Sequence, residues 1–471
     1  MPRGKLLYRA SIALLALSVT AALIPSSGAR PRFRKRTVEI APGVMYTKIN
    51  NPKGPWSIRV VSISLAEAST IEPVLANGKL PGFERTSTMA RRYGALAAIN
   101  GDYARESGRP VMLFAQDGEL AQTALTWGVN FAVNASETAT YIKHQEPDLW
   151  LHQPKLGSEH PIARFNAGWP RIGDISGFSH LAGKDEPPPN SACSARLYPT
   201  EGARSSLRRV GLEQRHLVHE VVCKDRKLWP KGGRVLSTPM AGTRTAEITS
   251  MLAGDEVELG WSLSWPDVYD TIGGNPTLVK DGQIIVGNEG TSFFARHPRT
   301  GVGTTPDGRV LFVTVDGRQP GYSLGMTPLR FAKLFMRLGA NYALNLDGGG
   351  STTMVVNGDV VNRPSDGDER YVSSALLLLP GPDPDPTVAP GPIPTPVTSP
   401  TPSMSPTPSA TPSPSSSPGM IGVTPTSSQI WLEIARDPAS TGGLAQWLLH
   451  EGIRLRGSLR AAARIFHGQD R

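Results

Sequence analysis

The 471-residue chain has only two cysteines, Cys193 and Cys223, and nine histidines. Two thiols make a poor metal site, and no histidine stands near them at finger-like spacing, so a structural zinc module is not indicated. Neither a His-x-Asp nor a His-x-x-x-His cluster occurs, which argues against His-rich transition-metal chemistry. The glycine run at Gly348-Gly349-Gly350-Ser351 lacks the Gly-Lys-Ser/Thr ending of a P-loop, and no nucleophile elbow is read in the chain. Lys and Arg number 49 against 40 Asp and Glu, a net charge of +9. The basic residues are scattered and no basic run alternates with aromatics, so nucleic acid is not the expected partner. An anionic envelope polymer or a phosphate-bearing glycan suits that charge better in an exported protein, and plain solubility is the alternative use.

Export is the expectation from the start of the chain. Arg3, Lys5 and Arg9 precede an apolar run from Ile12 to Ile24, and Ser27-Gly28-Ala29 supplies small residues for cleavage. The run is short and broken by Ser and Thr, so residues 1–29 are read as a signal peptide, with an uncleaved anchor as the alternative. In an exported protein an isolated Cys193 and Cys223 pair is most simply a disulfide, rather than two free thiols. Residues 37–380 are long enough to form the main domain, as one core or two. Residues 381–427 are mostly Pro, Thr and Ser with few large apolar residues and are expected to be a disordered linker. In residues 428–471, Leu444, Trp447, Leu448, Leu455 and Phe466 fall on a helical stripe among Arg454, Arg456, Arg460 and Arg464. That tail is expected to be an amphipathic helix, lying on a membrane surface, docking on a protein partner or packing back on the body.

Four segments place the polar residues. Gly94 to Asn100 is an apolar strand that ends in Asn100-Gly101-Asp102-Tyr103. Arg309 to Val315 is a second, ending in Asp316-Gly317-Arg318. Thr327-Pro328 reads as a helix start, with Gly339 as its stop. Tyr342 to Leu346 is the next strand and runs into Asp347-Gly348-Gly349-Gly350-Ser351-Thr352. Strand, helix, strand is a crossover, so the two strands should be parallel, with Asp316 and Asp347 at the ligand-facing edge. Hairpins are expected at Asn357-Gly358 and at Lys280 to Gln283, and Tyr371 to Leu379 as the closing strand. The class expected is α+β: a mixed β-sheet domain with few helices and at least one βαβ crossover.

The acids Asp102, Asp316 and Asp347 meet the need of glycoside hydrolysis, where one group assists departure and another activates water or attacks the sugar. The same set could instead hold Ca²⁺ or Mg²⁺ through oxygen ligands. Arg299 and Arg318 can present guanidinium forks to a phosphate, or be ordinary loop charges. Arg318 is the firmer choice, because Arg299 sits at the far end of the strand sequence unless its segment folds back.

Ala97 to Tyr103, His297-Pro298-Arg299-Thr300, Val315 to Gln319, Asn345 to Thr352 and Val361 to Asp366 together resemble the phosphodiester glycosidase family, in the family's order. The resemblance implies an exported hydrolase that cleaves a sugar-1-phosphodiester, such as an N-acetylglucosamine-1-phosphate linkage, freeing the sugar and leaving a phosphomonoester. It implies a site drawn from Asp102, Asp316 and Asp347 with Asn100, Arg299, Arg318, Gly349, Ser351 and Thr352 around the substrate. Tyr103 is followed by Ala104, where relatives carry a second aromatic. A noncatalytic glycan-binding or scaffolding module is the rival from another class, and a metal-dependent phosphodiesterase is the second rival.

Overall fold

The computed structural model describes residues 32–65, 69–182, 191–200, 214–224, 233–265, 268–287 and 290–381. The expected signal peptide, Pro/Thr/Ser linker and helical tail lie outside the described residues. The rest is mostly β-sheet with three helices, Thr86–Tyr93, Thr245–Thr249 and Pro328–Arg337, an α+β arrangement.

An eight-stranded antiparallel sheet carries the site. Its order is Arg34–Ala41, Val44–Asn51, Trp56–Ser64, Arg309–Val315, Arg299–Thr304, Tyr342–Asn345, Thr277–Lys280 and Gln283–Ile284. Side chains alternate across it as the strand period requires. Along Arg309–Val315, Val310 and Phe312 enter one core, while Leu311, Val313 and Val315 enter another beneath the helix Pro328–Arg337. The first core is closed by a five-stranded sheet in which Ala97–Asn100 lies between Met354–Val356 and Ser374–Pro380. Ile99, Leu376 and Leu378 of that sheet face Phe312 and Leu344 of the first. Ala98, Ala375 and Leu377 point the other way, against Met89 and Ala90 of the helix Thr86–Tyr93. The result is helix, sheet, sheet, helix in four layers. Each fully buried Leu, Ile or Phe contributes about 1.5–3 kcal/mol. Two further sheets build a second core around Trp261 and Phe165, and the Cys193–Cys223 disulfide joins paired positions of two neighbouring strands there.

The expected crossover forms, with one difference. Arg309–Val315 and Tyr342–Asn345 run in the same direction, but they are not neighbours, because Arg299–Thr304 lies between them antiparallel to both. From sequence that segment is a loop that has to fold back along the strand, which Gly301 and Gly303 permit. It is a strand because Gly301 and Gly303 face the helix. A Cβ on Gly303 would stand 2.8 Å from the Phe335 ring and 2.9 Å from the Tyr342 carbonyl oxygen. A Cβ on Gly301 would stand 2.9 Å from the Phe331 ring. The glycines therefore let Phe331 and Phe335 seat directly on the backbone. Thr327 caps this helix, accepting from the Arg330 N–H at 3.2 Å. Both expected hairpins and the closing strand are present.

Gly303→Ala is expected to cost about 1–3 kcal/mol, since neither the ring nor the carbonyl can withdraw freely. The measurement is a urea titration. A lower midpoint at unchanged slope supports the packing argument, and an unchanged midpoint refutes it.

Candidate active site

The ends of these strands open into a cleft of about 480 Å³. Its wall includes Tyr103, Phe293, His297, Arg299, Arg318, Asp347, Gly348, Gly349, Gly350 and Arg370. The register of the inner hairpin brings the two arginines together. Arg299 pairs with Val315, so the start of one strand meets the end of the next, and both guanidiniums reach the same cleft. Arg299 is buried and donates from Nε to Met326 O and from Nη2 to Phe293 O and Ala295 O. Burial lowers its pKa to about 10, with the Arg318 charge adding to the effect. Its Nη1 has no hydrogen-bond partner among the described residues. Arg318 holds a φ of 58°, a left-handed backbone that costs a non-glycine residue about 1–2 kcal/mol. Its Nε donates to His297 Nδ1 at 3.3 Å, leaving both terminal nitrogens without hydrogen-bond partners among the described residues.

His297 is thereby fixed in one neutral tautomer, since its Nε2 donates to Ser292 O at 2.8 Å. Burial, followed by the charges of Arg299 and Arg318, lowers its pKa. Opposite stands Asp347. Its Oδ1 accepts from the Gly348 N–H at 2.8 Å, and burial raises its pKa against the opposing pull of Ser351, Gly348 and Arg370. Gly349 has a φ of 60°, and a Cβ there would meet Arg318 Nη2 at 3.0 Å. Gly350 leaves room for the Arg370–Asp366 ion pair, which a Cβ would strike. Three guanidiniums thus border a single carboxyl in one cleft, an arrangement suited to an anionic ligand.

Of the residues expected to form the site, Arg299, Arg318, Asp347 and Gly349 line the cleft, while Asn100, Asp102, Asp316, Ser351 and Thr352 stand behind it. Asn100 is fully buried. Its Nδ2 donates to Asp347 O at 2.7 Å, and its Oδ1 accepts from Thr300 Oγ1 at 2.7 Å and Thr353 N at 3.1 Å. Asp102 is also buried, and its Oδ2 accepts from the N–H groups of Val111 and Met112, whose chain forms one wall. Its Oδ1 has no hydrogen-bond partner among the described residues. Burial above all, with a contribution from the Asp347 charge, pushes Asp102 up to about 8. Asp316 faces away from the cleft wall. Its Oδ1 accepts from Asn362 Nδ2 and Arg363 N, and its Oδ2 from the Tyr322 hydroxyl. Ser351 steadies Asp347, and Thr352 is buried. The acids therefore do not meet in one oxygen cage, and no group of three His, Cys, Asp or Glu side chains converges among the described residues.

Sequence reading missed Tyr103, His297 and Arg370 as wall residues. Tyr103 donates to Asn275 O at 2.6 Å and accepts from Asn345 Nδ2 at 2.7 Å. His297 and Tyr103 sit inside motifs already singled out, so their neighbours were the available signal. The stretch Gly321-Tyr322-Ser323-Leu324-Gly325 does spell Gly-x-Ser-x-Gly. Ser323 is fully buried, accepts from Ser57 N and donates to Asp316 O, so it is no exposed nucleophile.

Asp102 carries a pH signature. Its folded pKa lies above its unfolded value near 4, so the unfolded chain releases a proton first and stability falls between about pH 4 and 8. Asp102→Asn removes that dependence. The variant is expected to gain on the parent as pH rises from 5 to 8 in paired denaturation curves. A constant difference across that range refutes the buried protonated acid.

Three comparisons with known proteins bear on this assembly. The family model for phosphodiester glycosidase matches residues 221–379. The SPbeta prophage-derived uncharacterized protein YomE of Bacillus subtilis is 41% identical over 83 residues, 18% of this chain and 13% of that protein. A hypothetical protein from Synechocystis shares the fold at 18% identity and a TM-score of 0.59, over 73% of this chain and 63% of that one. A candidate exported protein from Burkholderia pseudomallei shares it at 22% identity and a TM-score of 0.53, over 71% and 77% respectively. The chain thus spans well under two thirds of the curated relative and slightly less than two thirds of the Synechocystis chain.

Proposed function

We propose that this protein, whose residues 221–379 match the family model for phosphodiester glycosidase, is an exported hydrolase acting on a sugar-1-phosphodiester, of the N-acetylglucosamine-1-phosphate kind, in an envelope or extracellular glycan. The observation that carries the reading is the placement of Asp347 in one cleft with Arg299, Arg318 and Arg370. The disulfide fits an oxidising compartment.

Asp347 is the reacting acid. A raised pKa makes it a stronger base, which takes a proton from water as the water oxygen bonds to the anomeric carbon. The bond between that carbon and the phosphate oxygen breaks, and the phosphomonoester leaves with both electrons. Its added charge falls beside Arg318 and the unpaired Nη1 of Arg299, so departure needs little acid assistance. The cleft offers no second carboxylate at its wall, and Asp102 and Asp316 serve as positioning groups. Asp102 holds the Val111–Met112 wall, and Asp316 holds the segment at Asn362 and Arg363.

The deciding measurement is the product from a phosphodiester of N-acetylglucosamine-1-phosphate. Free sugar and a phosphomonoester support the proposal. Sugar phosphate would mean phosphodiesterase chemistry, and binding without turnover would mean a glycan-binding module. Asp347→Asn is expected to lower kcat at least about a hundredfold with the fold intact, and near-parental kinetics would remove Asp347 from the chemistry. Because its pKa is raised, the acidic limb of kcat/KM should lie above the ordinary Asp range near 4.

Arg318→Lys should impair the phosphodiester at least about tenfold and an uncharged aryl glycoside much less, because lysine loses the planar fork. Equal losses on both would assign Arg318 to the sugar or to the fold.

A further inference from the structure

A second cleft of about 930 Å³ adjoins the first, and Thr126 lines both. The segments that separate them are held together by the Leu125 N–H donating to Val111 O at 2.9 Å. Two large aromatic rings stand on its wall. Trp127 is 50% exposed and stacks on His144 at 5.1 Å, and Trp169 is 37% exposed and rests against Phe178 at 5.6 Å. Each ring is backed on one side by another ring, which holds it in place, and leaves surface open to the cleft. An indole left half in water forgoes burial that a core Trp would gain. Two such rings in one concavity mark a binding surface rather than scattered surface residues.

The charge of this cleft is positive. Arg105 and Arg171 are exposed and have no ion-pair partner among the described residues. Arg164 donates to Trp169 O at 3.1 Å, tying an arginine to the backbone of a stacking residue, and Asp174 stands 3.6 Å from it. The one acid on the wall, Glu146, faces His144 at 3.5 Å.

Resting on the function proposed above, we infer that the second cleft binds the chain that continues beyond the scissile linkage in a phosphate-bearing glycan polymer. Trp127 and Trp169 stack on sugar faces, and Arg105 and Arg171 pair with phosphates along that chain. Flat apolar rings complement the C–H face of a pyranose, and unneutralised guanidiniums complement a phosphodiester. A single sugar diester fills the first cleft alone. Its longer homologue spans both, across Thr126. Single-stranded nucleic acid also combines bases that stack with phosphates, but the continuity of this cleft with the carboxyl and arginines around Asp347 favours the glycan.

The test compares two substrates on the full chain: a single methyl diester of N-acetylglucosamine-1-phosphate and a short oligomer of N-acetylglucosamine-1-phosphate units. Trp127→Ala with Trp169→Ala, and separately Arg105→Gln with Arg171→Gln, are expected to raise KM for the oligomer at least about tenfold while kcat stays unchanged. Both pairs should leave the single diester within about twofold. Equal losses on the two substrates, or none on either, overturn the inference. Equilibrium binding of the oligomer separates this claim from the proposed reaction. If the parent turns over neither substrate yet binds the oligomer, and the variants lose that binding, the second cleft stands and the proposed reaction falls. If parent and variants bind it equally, the second cleft falls. Tighter binding of a single-stranded oligonucleotide, lost in the same variants, overturns the glycan assignment.

Discussion

One side chain joins the two sheets at the point where the cleft opens. Asn100 ends the central strand of the five-stranded sheet, yet its amide bonds reach the hydroxyl of Thr300 in the eight-stranded sheet, the carbonyl of Asp347 just beyond the end of another of that sheet's strands, and the amide of Thr353. An asparagine can do this because it presents donors and an acceptor on one short planar group. Each bond is worth about 1 kcal/mol net, and leaving a partner unpaired in that dry seam costs more than the bond is worth. The backbone around Asp347 is therefore set from behind, and the carboxyl in the cleft inherits its position from a residue that does not line it. The 3.1 Å bond from the Asp347 N–H to Gly101 O completes the clasp.

The glycines work with that clasp. At Gly301 and Gly303 the missing Cβ admits two phenylalanines onto the sheet, and at Gly349 and Gly350 it admits two arginines onto the loop. The first pair sets how tightly helix and sheet pack, and the second sets how near guanidinium and carboxyl come. Both follow from backbone that can be approached closely.

Much of this was legible in the sequence. The helix Pro328–Arg337 carries its own start in Thr327-Pro328, the hairpins carry Asn-Gly and Asp-Gly turns, and the strand-end acids announce an edge. What the sequence could not supply was which way each side chain turns after its strand ends. Asp316 and Asp347 close strands of the same direction, but the period-two rule stops at the last paired residue. One carboxyl then falls among Tyr322, Asn362 and Arg363, and the other enters the cleft. Arg299 reaches the cleft by the fold-back that the sequence left open. Glycine counts toward loops in a propensity reading, whereas tertiary packing made its segment a strand and delivered the side chain to the site. Trp127, Trp169 and Arg171 sit in no recognisable spacing, since a cleft between distant loops leaves no periodic trace.

The strand order has a kinetic consequence. Trp56–Ser64 pairs with Arg309–Val315, and Ser69–Leu75 pairs with Ser374–Pro380, so each main sheet joins chain separated by about 250 residues or more. Such contacts give nothing back until the intervening loop is closed, which raises the relative contact order and slows folding. Neither sheet can be completed by an N-terminal fragment during synthesis. Until the strand Ser374–Pro380 is available, the faces of Ile99 and Phe312 that share its core stay open to solvent or to a chaperone.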